Sequence, residues 1–321
     1  MRVAILGAGG FLGTRLAARL AATGQLAGQP IAELLLFDRH AVQPPSAPCP
    51  VRTLRGDLCD AATLDALFAR RIDCVVHLAA TLTVDAESDF RRGLDTNLLA
   101  FVQLLERCRA QAPAPLLLFA SSIATFGGPL PEAVDDEVRQ APGTSYGTHK
   151  AIAELLLADY ARHGFVDGRA LRLPIVLTHP GPATGSISDQ VAALVREPLR
   201  GQRTRCGMAP DSRLAVASVD TVVEGFLRLA AVPAQALGAR RSINLPGLTV
   251  TPAQLVQAVR RQLPAHAPDP VDWQPDAQLQ RIVDGWPKAF VSARATALGF
   301  TPDASADALV QSFLAQERRR P

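Results

Sequence analysis

What the chain lacks narrows its chemistry first. Its five cysteines (Cys49, Cys59, Cys74, Cys108 and Cys206) are odd in number and scattered, with no Cys-x-x-Cys pair. Neither a disulfide frame nor a zinc site is expected from them, and free thiols suit a reducing compartment. The six histidines show no His-x-x-x-His or other ligand spacing, so no metal is expected. Charge of one sign is hardly in excess: 33 Lys and Arg against 30 Asp and Glu leave +3. With no block of like charges, a nucleic-acid-binding stripe is excluded. No run of 18 apolar residues occurs, and no membrane span is expected. Internal repeats and low-complexity segments are absent as well. The N-terminus has one arginine and a short apolar run leading straight into glycines. That predicts a buried strand from residue 2 rather than a signal peptide, and a cytoplasmic protein.

What is present reads as an α/β protein. Hydrophobic residues make up 48% and charged residues 20% of the 321, ordinary for a globular chain with one large domain or two. Short apolar runs, "RVAIL", "ELLLFD", "VRTLRG", "DCVVHLAA", "PLLLFASS" and "GRALRLPIVL", alternate with helical segments. Six such strands before residue 180 predict a doubly wound parallel sheet covered by helices on both faces. "RLAVASVDTVVEGFLRLAAV" is expected to add a strand and a helix to that sheet, and "SINLPG" to belong to a second lobe. The expected division is 1–174 plus 213–242 for the first domain and 175–212 plus 243–321 for a smaller substrate lobe. Long helices are expected near 88–111 and 146–163.

The chemistry begins at "GAGGFLG", where Gly7, Gly10 and Gly13 follow the first strand and open a helix. Glycine allows the tight turn and the close approach of a pyrophosphate, and the helix N-terminus, with Phe11 and Leu12, receives the negative charge. Asp38 ends the second strand, where a carboxylate accepts bonds from the adenosine ribose and repels a 2′-phosphate. NAD is therefore expected over NADP, although Arg39 follows directly. "GDL" (Asp57, Leu58) could meet the adenine, and the small residues of "HLAA" (Leu78, Ala79, Ala80) could pass beside the phosphates and ribose. His77 reads as a strand-end core residue.

"LLLFASS" places Ser121 and Ser122 at the carboxyl end of a central strand, where ligands bind in open sheets. Ser121 is expected to bond backbone. "TSYGTHK" puts Tyr146 and Lys150 at i and i+4, on one helix face. A phenol ionises near ~10 and needs a nearby cation to act as a base at neutral pH, which Lys150 supplies. Ser122 would hold the substrate oxygen.

This ordered set (the glycine triplet, Asp38, "GDL", "HLAA", Asn97, Ser122 and Tyr146-x-x-x-Lys150) resembles the extended short-chain dehydrogenase/reductase family. The resemblance covers nearly the whole chain and implies a Rossmann-type fold. It implies that Asn97 holds the active-site helix and a proton-relay water, that Leu173 and Pro174 border the nicotinamide, and that two helices form a homodimer contact. The family's sugar-nucleotide members carry Asn-x-Tyr-Gly-Pro where this chain has "LRLPIVLTHPG", with Pro174 or Ile175 in place of the asparagine, while Arg213 matches an arginine they use for phosphate. Other segments are similar to dehydrogenases of four-carbon sugar acids. Thr83, Ser122, Ile123, Tyr146 and Arg213 are the expected substrate residues, and Arg172, Arg196, Arg205 and Arg213 the candidate carboxylate partners. A nucleotide-sugar epimerase or dehydratase and a catalytically inactive NAD(H) sensor are the alternatives.

Overall fold

Residues 1–177 and 187–318 are described by a computed structural model. The "THPG" end of the segment that replaces the nucleotide-sugar motif lies outside them. The first strands are β1 (Arg2–Leu6), β2 (Glu33–Asp38), β3 (Val51–Arg55), β4 (Cys74–His77), β5 (Leu116–Ser122) and β6 (Asp167–Leu173). They lie in the order β3-β2-β1-β4-β5-β6, extended by the strand Ser242–Asn244 beside β6. Neighbours from β3 through β5 pair in parallel. The chain thus crosses from β3 on one edge back past β1 to β4, the reversal that opens a crevice at the carboxyl ends of β1 and β4. This is the Rossmann-type doubly wound α/β fold.

Local sequence explains the layers. In β1 and β4 nearly every residue is buried, as a strand covered on both faces requires. Helix α1 (Phe11–Thr23) buries Leu16, Ala17, Leu20 and Ala21 at helical spacing. Helix α2 (Ala61–Leu67) is capped by the Asp60 carboxylate and buries Leu64 and Leu67. Leu64 and Leu67 share one core with Phe37, Phe101, Leu105, Phe119, Ala153 and Leu157. Burying each large apolar side chain of this set contributes about 1.5–3 kcal/mol.

The helix expected near 88–111 is broken. Helix α3 (Thr83–Ser88) and α4 (Phe90–Leu94) precede a π-helical turn, Asp95–Leu99, before α5 (Ala100–Arg109). Helix α6 runs over Ser145–Arg162, capped by the Thr144 hydroxyl.

Two compact units are present: Met1–Thr125, Gln140–Arg172 and Val223–Ile243 form the first, and Phe126–Arg139, Leu173–Val222 and Asn244–Pro321 the second. Two strands fall elsewhere than expected. Leu214–Ser218 does not join the large sheet but pairs with Ile175–Leu177 and Leu248–Val250. Ser242–Asn244, from "SINLPG", is the outer strand of the large sheet. The second unit has its own core, which includes Val191, Leu194, Val216, Leu255, Val259 and Phe313.

Candidate active site

Six positions read as site residues stand at the carboxyl ends of six strands. Gly7 follows β1, Asp38 ends β2, Asp57 follows β3, Leu78 follows β4, Ser122 ends β5 and Leu173 ends β6. At the crevice, the loops after β1 and β4 touch. Gly7 has φ +89, and a Cβ there would lie 2.8 Å from the Ala79 nitrogen. A Cβ on Gly13 would lie 2.1 Å from the Gly7 carbonyl oxygen. Leu78 and Ala79 both donate to the Leu6 carbonyl, at 2.9 and 3.0 Å, which draws the chain after β4 alongside the turn. Gly10 is the N-cap of α1 and has no side chain to satisfy the first N–H groups of that helix. Phe11 and Leu12, partly exposed, are its first two residues. A glycine-walled turn with helix N–H donors fits a pyrophosphate.

Asp38 belongs to the same turn. Its Oδ2 accepts from Gly9 N at 2.9 Å and its Oδ1 from His40 N at 3.0 Å. A carboxylate has about four acceptor sites, so capacity remains for ribose hydroxyls. Gly9 is a site residue that the glycine spacing alone did not single out. Asp57 is exposed and caps its own turn by accepting from Cys59 N at 2.9 Å, while Leu58 turns into the core. These residues together fit a dinucleotide.

The second half of the site is built where α6 meets β5. Gly147, between Tyr146 and Lys150, sits so close to the turn after β5 that a Cβ would lie 2.0 Å from the Ala124 carbonyl oxygen. This contact seats the first turn of α6 by the end of β5, where the Ser122 hydroxyl favours the ionised form of the Tyr146 phenol. Burial pushes the phenol up to about 12, against the opposing pull of Ser122. Lys150 is buried, donates to the Ala120 carbonyl at 2.7 Å, and lies 4.5 Å above the Phe119 ring and 5.6 Å from that of Tyr146. Burial brings its ammonium down to about 7, while Glu154 pulls it back up. His77 is a buried ring stacked on Phe101 and Phe119; burial, with a smaller push from Lys150, lowers it to about 3, so it stays neutral.

Asn97 is buried in the π turn. Its amide oxygen accepts from Thr81 N at 2.8 Å and its amide nitrogen donates to Thr81 O at 2.9 Å. It therefore ties α5 to the segment after β4. Ser121 corrects the sequence reading: its hydroxyl donates to the buried Glu154 carboxylate rather than to backbone. Ile123 opens the turn after Ser122, and Thr83 opens α3, both partly exposed. Leu173, Pro174 and Arg213 lie in the second unit, where Arg213 is exposed and paired with Glu132. Arg172 is engaged by Glu154, and Arg196 is fully buried against Asp189 and Glu197. Arg205 is exposed on Thr204–Cys206.

The family model described as NAD dependent epimerase/dehydratase matches residues 3–244. The D-erythronate dehydrogenase of Cupriavidus necator is 42% identical over 318 residues, 98% of both chains. That of Haemophilus influenzae is 36% identical over 98% of this chain and 99% of its own. A solved structure described as the nucleoside-diphosphate-sugar epimerase from Agrobacterium tumefaciens superposes with a TM-score of 0.94 at 34% identity, covering 99% of this chain and 94% of that one. With a glycine turn and an acid that suit a dinucleotide, and a match over three quarters of its length, the chain belongs to the NAD-dependent epimerase/dehydratase family, and its cofactor is NAD.

Proposed function

We propose that this protein oxidises the C2 hydroxyl of a four-carbon sugar acid, D-erythronate or a close relative, to the 2-oxo acid. The reaction class is that of an NAD-dependent dehydrogenase acting on a CH–OH group. The observation that carries the substrate is the 42% identity across 98% of both chains to a protein named for that acid. NAD held here would supply the hydride acceptor for the carbinol carbon. The turn at Gly7, Gly10, Phe11, Leu12 and Gly13 would hold its pyrophosphate, Asp38 its adenosine ribose, and Asp57 and Leu58 its adenine. Leu78 to Ala80, Asn97, Lys150, Leu173 and Pro174 would hold the nicotinamide half. Tyr146, as phenolate, removes the hydroxyl proton; Ser122 holds the same oxygen, and the Lys150 ammonium stabilises the phenolate. A phenol raised by burial needs that cation near it. Thr83, Ile123 and Arg213 are the proposed substrate residues, with Arg213 for the carboxylate.

NADH formation from D-erythronate is the test. A second reading, a nucleoside-diphosphate-sugar epimerase, is favoured by the structural likeness at 34% identity. Epimerisation of a UDP-sugar without net NADH, together with no turnover of any C4 acid, would establish that reading instead.

Cofactor choice rests on Asp38. Asp38→Ala is expected to weaken NAD and to improve the relative use of NADP, because the repelling carboxylate is gone while Arg39 stays. A parent enzyme that already prefers NADP in steady-state kinetics would contradict this role.

A homodimer is proposed as well. Helix α6 turns His149, Lys150, Ala153 and Leu157 inward, yet its outer face carries Leu155, 69% exposed, and Ile152. Phe90, 61% exposed, Leu82, Val84 and Leu99 continue the apolar surface on the preceding helices. A helix apolar on both sides calls for cover on both, and a second copy supplies it by two-fold symmetry. Light scattering is expected to give twice the chain mass, and Leu155→Glu to reduce it. A parent protein at monomer mass under assay conditions would refute the dimer.

A further inference from the structure

Three successive residues at the end of β5 meet three residues spaced one turn apart on α6. The Ala120 carbonyl accepts from Lys150, the Ser121 hydroxyl donates to Glu154, and the Ser122 hydroxyl favours the ionised Tyr146 phenol. Glu154 is the member of this stripe with no part in the proton transfer described above. It is nevertheless 3% exposed. Besides Ser121 it accepts from Gln140 Nε2 at 3.1 Å, from Arg172 Nε at 3.0 Å to each oxygen, and from Arg172 Nη2 at 2.7 Å. One carboxylate thus joins α6 to β5, to β6 and to the loop entering the helix. Cohesion alone does not require it, since apolar replacement of a buried ion pair is often neutral or stabilising.

We propose that Glu154 is a positioning residue for Tyr146 and Lys150, holding α6 in register on β5 and supplying the negative charge that keeps Lys150 an ammonium. Among the described residues, the other groups around Lys150 do not supply that charge. Tyr146 is a neutral phenol, the Phe119 ring and the Ala120 carbonyl come from β5, and His77 from β4 is neutral. Glu87 on α3 is engaged by Ser145 N, Asp95 of the π turn by Arg91, and Glu106 on α5 by Tyr160 near the far end of α6. Burial lowers the Lys150 ammonium and Glu154 opposes that pull, so the loss of this one charge bears directly on its state.

The inference rests on Lys150 and Tyr146 acting as a pair, and its test is independent of the substrate. The chain has two lysines, Lys150 and the exposed Lys288, so protein labelled with ¹³Cε-lysine gives two resonances that can be titrated directly. In Glu154→Gln the ammonium loses its negative partner, so its proton should leave at lower pH. We expect the Lys150 midpoint to fall by about one pH unit and the corresponding limb of the pH–rate profile to follow it. In parallel, kcat at neutral pH should drop roughly tenfold with KM for NAD unchanged. Glu154→Asp, which keeps the charge, should restore the midpoint. Should Glu154→Gln not accumulate in folded form, Glu154→Gln/Arg172→Gln, which leaves no guanidinium unpaired, is titrated against Arg172→Gln alone, so that only the carboxylate differs. A Lys150 midpoint unchanged or raised in either Gln variant overturns the proposal. If D-erythronate proves not to be the substrate, the titration is unaffected.

Discussion

Tyr146→Phe is expected to lower turnover by roughly 10²-fold or more while leaving NAD binding nearly intact. The scale is that of losing a positioned general base. Phenylalanine keeps the ring against Ser122 and Lys150 and removes only the oxygen that takes the proton, so the loss should appear in kcat rather than in folding. Gly147 makes the comparison clean: the first turn of α6 is seated on Ala124 by the missing Cβ, and the substitution leaves that contact untouched. Stopped-flow measurement of NAD binding alongside steady-state rates separates the two effects. Turnover within a few-fold of the parent would remove Tyr146 from the mechanism.

The glycine turn and the strands around it were legible because their physics is local. A Cβ on Gly7 would fall 2.8 Å from the Ala79 nitrogen and one on Gly13 2.1 Å from the Gly7 carbonyl oxygen, so both positions require glycine, and the spacing shows in the chain. Strands buried on both faces read as unbroken apolar runs in β1, β2, β4 and β5. The same signal could not say which sheet a strand joins. Neither "RLAVAS" nor "SIN" carries a mark of its neighbour, and their partners, Ile175–Leu177 for one and β6 for the other, are chosen by tertiary packing. Glu154 was invisible for a related reason. On its helix it is one more polar residue, and what makes it central is Ser121, Gln140 and Arg172, 33, 14 and 18 residues away along the chain. The π turn around Asn97 has no marker in the sequence either, because the i→i+5 shift arises where Asn97 closes on the Thr81 backbone.

The substrate's carboxylate should matter almost as much as the catalytic phenol. Two of the four candidate arginines are already committed inside the protein, Arg172 to Glu154 and Arg196, fully buried, to Asp189 and Glu197. Arg213 is different: it is exposed and its partner Glu132 is exposed too, so that ion pair is worth little and is readily exchanged. A guanidinium offers two parallel N–H donors that match a carboxylate, and the fork loses less freedom on binding than a lysine would. A C4 polyol has the same hydroxyls as the acid but no charge for the fork, so it forgoes a bidentate pair whose charge-assisted hydrogen bonds are worth about 1.5–3 kcal/mol each. We therefore expect kcat/KM for the polyol to fall by about 3 kcal/mol, roughly 10²-fold, relative to D-erythronate. Arg213→Ala should cost the acid a similar factor and the polyol almost nothing, so the two losses should not add. Equal losses for acid and polyol in Arg213→Ala would show that the carboxylate is held by another residue, and parity of acid and polyol in the parent would show that no cation recognises it.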